Sequence, residues 1–192
     1  PCGRVYNGLR DFLCGWNFTF KKSRARECAI PFDQIRNHPR LKGGGIFEKN
    51  RPIELARLST AQWNEISGRM LQKRPASLPL YDWSDRNFFD PKCSAALYSK
   101  KSLTGIMLCR KRSERILHVA RLRDFVHEPP IGDILFLAHL AGHGGKILTD
   151  DGWVHIHIAD EGLARLLYKL FPDLAPVTLQ SGTFSGGIST IQ

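Results

Sequence analysis

Two pairs of histidines stand at spacings that bring both rings of each pair to one side of an element. Trp153-Val-His155-Ile-His157-Ile158 alternates, so His155 and His157 share one face of a strand. His139 and His143 are four apart at the end of a helical stretch. Either spacing can begin a metal site. No third ligand follows by spacing, so hydrogen-bonded or exposed histidines are expected and no metal is assigned. The cysteines, Cys2, Cys14, Cys28, Cys93 and Cys109, are odd in number and form no CxxC pair. That speaks against a zinc ribbon and a thioredoxin-type site. Free thiols in a reducing compartment are expected, which places the chain in the cytoplasm. There is no Gly-x-Ser-x-Gly, Walker loop or His-Glu-x-x-His.

Charge offers a different chemistry. The chain has 192 residues with 28 Lys+Arg against 18 Asp+Glu, a formal charge of +10. Residues 127–192 reverse the sign, with 3 Lys+Arg against 7 Asp+Glu. The densest basic runs are Lys21-Lys-Ser-Arg-Ala-Arg26 and Arg110-Lys-Arg-Ser-Glu-Arg115. They read either as solvated turns or as a contact surface for an anionic partner.

Such residues need a fold to position them. An apolar fraction of 42% and a charged fraction of 24% exclude a disordered, collagen-like or coiled-coil chain. The longest apolar stretch, Ile134 to Ala138, stops at His139 and is too short for a membrane span. The first residues hold no apolar run after a basic start, so a secretory signal is not expected. It begins at Pro1 rather than Met, as a processed, trimmed or partial chain would.

Residues 1–50 carry few clear elements beyond strand-like Asn17-Phe-Thr-Phe20, and Gly43-Gly-Gly45 marks a boundary. An N-terminal extension over 1–50 and a main domain over 51–192 are therefore expected. Ile53 to Leu58 alternates as a strand, and Ser59-Thr60 can cap a helix carrying Trp63, Ile66 and Met70. Residues 74–91, with Pro75, Pro79 and Pro91, read as a long loop or short irregular helix holding Tyr81, Trp83, Phe88 and Phe89.

An antiparallel meander follows: Ser94–Tyr98, Leu103–Cys109 and Ile116–Leu122. Pro129-Pro-Ile-Gly132 opens a helix over Asp133–Ala141, ended by glycines. Trp153–Ile158 is a strand, and Asp160 caps a helix over Glu161–Leu170. Val177–Gln180 and Thr183–Ser185 form a closing pair of short strands. Together these predict an α+β fold: a mostly antiparallel mixed sheet flanked by helices.

From about residue 51 onward, the element order and three stretches resemble the GCN5-related N-acetyltransferase (GNAT) family. Lys100-Lys-Ser-Leu-Thr-Gly105 resembles its hairpin turn and following strand. His127-Glu-Pro-Pro-Ile-Gly132 sits where the family writes its pyrophosphate loop, Gln/Arg-x-x-Gly-x-Gly/Ala. Gly132 matches the last position, His127 replaces the Gln/Arg, and Pro130 replaces the first Gly with a residue that has no N–H. Glu161-Gly-Leu-Ala-Arg-Leu-Leu-Tyr168 resembles the last helix, with Ala164 and Tyr168 in register and Glu161 in place of Asn.

The resemblance implies acyl-CoA, typically acetyl-CoA, as donor and an amine on a small molecule or protein as acceptor. Its diphosphate would lie on the loop and helix start at His127, Ile131, Gly132 and Asp133. Its pantetheine would lie along backbone near Arg121 and Leu122. Tyr168 would be the general acid, and a phenol is a suitable donor to a thiolate. Asp124 and His118 are the candidate bases. Tyr81, Trp83 and Phe88 fall where the family builds its acceptor pocket.

The expected activity is CoA-dependent N-acyltransfer. The alternative is a non-catalytic GNAT-like module binding a protein or nucleic acid through its basic surface. A protein partner or upstream domain is preferred there, since no nucleic-acid reading module is present. Residues 1–45 lie outside the resemblance and could be the tail of a preceding, similar domain.

Overall fold

A computed structural model describes residues 18–42, 51–72, 85–125, 131–158, 160–174 and 177–184. Its strands are β1 (Phe18–Pro31), β2 (Ile53–Glu54), β3 (Ala95–Ser99), β4 (Ser102–Ser113), β5 (Ile116–Asp124), β6 (Trp153–Ile158) and β7 (Val177–Phe184). Its helices are α1 (Phe32–Asn37), α2 (Thr60–Gln72), α3 (Ile131–His143) and α4 (Glu161–Leu170). They form the expected α+β architecture, one seven-stranded mixed sheet with helices on both faces.

Local chemistry explains much of this. The β3–β4 turn places Lys100 and Lys101 at φ 46° and 70°. Two left-handed residues make the hairpin turn whose twist matches the strands. A reciprocal capping box starts α2: Ser59 Oγ accepts from Gln62 N at 3.3 Å, and Gln62 Oε1 accepts from Ser59 N at 2.9 Å. Asp160 Oδ1 accepts from Leu163 N at 2.9 Å and caps α4 as expected.

The sheet order is β2-β3-β4-β5-β6-β1-β7. All neighbours are antiparallel except β5 and β6. The N-terminal segment thus enters the sheet interior, with β1 between β6 and β7. The strand expected at 17–20 is the beginning of a 14-residue one.

Three expectations need correction. Ile53–Leu58 is a strand only at Ile53–Glu54. Leu55 N then bonds Ser94 O at 2.8 Å and Ala56 N bonds Pro91 O at 2.9 Å, so the backbone turns along the neighbouring loop. The closing strand pair is one strand, β7, because β1 pairs along it on both sides of Gly182. Helix α3 extends two residues beyond the expected span at each end. The Gly43–Gly45 boundary lies outside the described residues.

Cross-strand pairs assign the two faces. Met107↔Leu122 and Cys109↔Val119 belong to a core built with α1, α3 and α4, here the first face. Leu108 and Ile106 belong to a second core under α2 and the 85–93 loop, and pair with Arg121 and Arg123. Burying a large apolar side chain such as Phe136 or Ile106 stabilises by about 2 kcal/mol. Phe136 also explains Gly105: a Cβ there would lie 3.0 Å from its ring. Gly105 is a close-packed position.

Candidate active site

Strands β5 and β6 run parallel only from Ile116↔Trp153 to Val119↔Ile156. Beyond that, β5 stays with β4 as far as Asp124↔Gly105, while β6 stays with β1 as far as Ile158↔Arg26. The ladder opens into a wedge bordered by residues 120–124 and 157–158. A bulge marks the opening on β5. Cys109 pairs with Val119 and Leu108 with Arg121, so Ala120 is the extra residue. A bulge bends the strand and re-aims its backbone groups.

On the second face, beside this wedge, three strands bring polar residues together. His118 is opposite His155, and Glu27 is opposite His157. His155 Nδ1 donates to Glu27 Oε1 at 2.7 Å. That bond is the largest influence holding the Glu27 carboxyl below its usual range; burial opposes it, and His118 and Arg112 assist. His118 is 5% exposed. Burial, aided by Arg112, lowers its pKa to about 4 against the pull of Glu27. Burial and then Arg121 lower that of His157. Arg121 is 3% exposed, and its Nε is buried without a hydrogen-bond partner.

The sequence-derived candidates scatter around this centre. His118 lies within it. Arg121 borders the wedge, whereas Leu122 points into the first core. Asp124 pairs through its backbone with Gly105. Tyr168 lies on α4, half-buried against the first core. Ile131 is exposed at the start of α3, while Gly132 and Asp133 are buried. Phe88 packs edge-on to Phe89 at 5.6 Å, and the Arg110 guanidinium lies 4.1 Å over its ring. His127, Tyr81 and Trp83 lie outside the described residues.

Glu27 is the residue that sequence reasoning missed. Its only signal is a glutamate directly before the short apolar run Cys28-Ala29-Ile30, which reads as a strand once a partner is known. The other histidine pair has structural work. His139 and His143 stack at 4.1 Å, with His139 Nε2 2.8 Å from Lys92 O and His143 Nε2 3.3 Å from Glu54. Among the described residues no group of three side chains is placed to hold a metal, and no helix is long and apolar enough to cross a membrane.

The sequence matches no family model and no curated protein. Solved structures do match. A GCN5-related N-acetyltransferase from Kribbella flavida aligns over 94% of this chain and 65% of its own, with a TM-score of 0.56 and 14% identity. A functionally unknown conserved protein from Staphylococcus epidermidis aligns over 90% and 64%, with a TM-score of 0.48 and 10% identity. A probable N-acyltransferase from Enterococcus faecalis aligns over 91% and 43%, with a TM-score of 0.47 and 12% identity. The chain therefore spans just under two thirds of the first two. Its fold is that of the GCN5-related N-acetyltransferases.

Proposed function

We propose that the chain is a CoA-dependent N-acyltransferase acting on an amine. The observation that carries this reading is the opening of the β5/β6 ladder after Val119↔Ile156, with helices α3 and α4 on one face and the Glu27–histidine cluster on the other. An extended pantetheine fits such a wedge, where the backbone near Arg121 and Leu122 would hold it. The start of α3, at Ile131, Gly132 and Asp133, would hold the diphosphate with His127. Bound there, the donor would supply an activated thioester.

Two protons must then move. One leaves the amine before it can attack, and one reaches the departing sulfur. Glu27 fixes the His155 tautomer by accepting from Nδ1, which leaves Nε2 as the proton acceptor. His118, with a pKa of about 4, is a weak base at neutral pH and fits better as a neighbour that shapes the cluster. Asp124 is the remaining alternative. Tyr168 delivers the second proton from α4.

Calorimetric titration with acetyl-CoA tests the reading, and absence of binding at millimolar ligand overturns it. If the donor binds, Tyr168→Phe slows turnover on the order of 100-fold while leaving donor affinity nearly unchanged. Unchanged turnover removes Tyr168 from its role. One observation favours the non-catalytic reading: Pro129 and Pro130 remove two N–H groups from the phosphate loop. That reading predicts no donor binding together with salt-sensitive binding of an anionic partner.

A further inference from the structure

Arg121 is placed unlike any other arginine described. It follows the Ala120 bulge, two residues past the last β5–β6 pair, so it borders the wedge. Its cross-strand partner Leu108 puts it on the second face, away from α3 and α4. It is almost wholly buried, and its Nε has no hydrogen-bond partner. Among the described residues no carboxylate lies within ion-pair distance of it. The charges acting on it are Arg123, which repels it, and Asp160, which attracts it.

A guanidinium in this state is costly. Removing a cation from water costs several kcal/mol unless a counter-charge and hydrogen bonds replace the lost hydration. Its planar fork suits a carboxylate or phosphate. The neighbouring charges compensate it only in part. Arg123 shares the face through its pair with Ile106 and repels it, Asp160 attracts it from beyond ion-pair distance, and Glu27 is engaged by His155.

We propose that Arg121 is the receptor for an anionic group on the acceptor, so that the acylated substrate is a small amine that also carries a carboxylate or a phosphate. The second-face position assigns the anion to the acceptor, because the donor diphosphate belongs at the start of α3 on the opposite face. The identity of the amine rests on the acyl-transfer reading. The anion site rests on the strand register, the burial of Arg121 and its unpartnered Nε, and not on that reading.

Two measurements test this separately. Thermal melts of the full chain in acetate and in inorganic phosphate read the site without any donor. The wild type is expected to rise in Tm with at least one of them, and Arg121→Met to lose that rise. No rise with either anion, or the same rise in Arg121→Met, overturns the site; which anion raises Tm tells carboxylate from phosphate. In the absence of anions Arg121→Met is expected to melt no lower than the wild type, since an uncompensated buried charge has been replaced by an apolar chain of similar length.

Acyl transfer is then compared between anionic amines (glycine, O-phosphoethanolamine) and neutral ones (ethanolamine, propylamine). Arg121→Met is expected to lower kcat/KM for the anionic amines on the order of 100-fold more than for the neutral ones. Arg121→Lys keeps the charge without the fork and is expected to fall between. Equal losses for both classes, or a wild type that prefers the neutral amines, overturn the acceptor assignment. Absence of acyl transfer with every amine overturns the acyl-transfer reading and the acceptor assignment with it, and leaves the anion site to stand or fall on the melts.

Discussion

Glu27 and His155 meet at 2.7 Å across 128 residues of sequence. The contact joins the N-terminal strand to the one strand that parallels β5. It engages Nδ1 of the imidazole, and among the described residues no hydrogen bond is made by Nε2. Glu27→Gln keeps the size but removes the charge, so acyl transfer is expected to fall on the order of 100-fold. Donor affinity, read by calorimetry, is expected to stay the same. An equal loss of donor affinity would assign the pair a structural role only.

The same carboxyl has a pH signature. Its folded pKa is lowered, so its stabilisation is present above the ordinary glutamate range and lost as pH falls through the folded value. Melts of Glu27→Gln and wild type are expected to differ at pH 6 and to converge in strong acid.

His118 acts in a higher window. Its unfolded pKa is about 6.5, and the folded value is about 4. The unfolded chain therefore binds the extra proton between those values, and stability rises with pH there. Below the folded value the loss is complete, roughly 3 kcal/mol at about 1.36 kcal/mol per unit. His118→Asn is expected to flatten the stability curve between pH 4 and 6.5. A variant as pH-dependent as the wild type would show that other groups control this window.

Two glycines at one helix end are expected to behave oppositely. A Cβ on Gly144 would lie 2.5 Å from the buried Phe32 ring, whereas one on Gly142 meets nothing within 4 Å. Gly144→Ala should cost about 2 kcal/mol and lower Tm by roughly 4–8 °C. Gly142→Ala should be neutral or stabilising by up to about 1 kcal/mol, because it raises helix propensity.

Much of the fold is legible locally. Asp160 and the leucines Leu163, Leu166, Leu167 and Leu170 specify α4 without tertiary help. Lys100-Lys101 between two apolar runs specifies a hairpin. What escapes local reading is long-range pairing. The register of β1 depends on residues 153–158 and 177–184, which no nearby pattern announces. For the same reason Glu27 could not be recognised as a neighbour of His155. Arg121 was legible as a wedge residue through its backbone, but only the register against Leu108 shows which face its side chain takes.

The place of β1 bears on how the molecule can be cut and how it closes. Among the described strands, β7 pairs with β1 alone, and β6 has β1 on its outer side. A fragment covering 51–192 would lose β7's support and expose β6 as an open edge, the kind of edge that recruits other chains. Closure of the sheet waits for strands from opposite ends of the sequence to meet, so its last strands carry the largest loop-closure entropy in the fold. The glutamate beside His155 arrives with that closure, and a chain caught before it would have the wedge without the carboxylate.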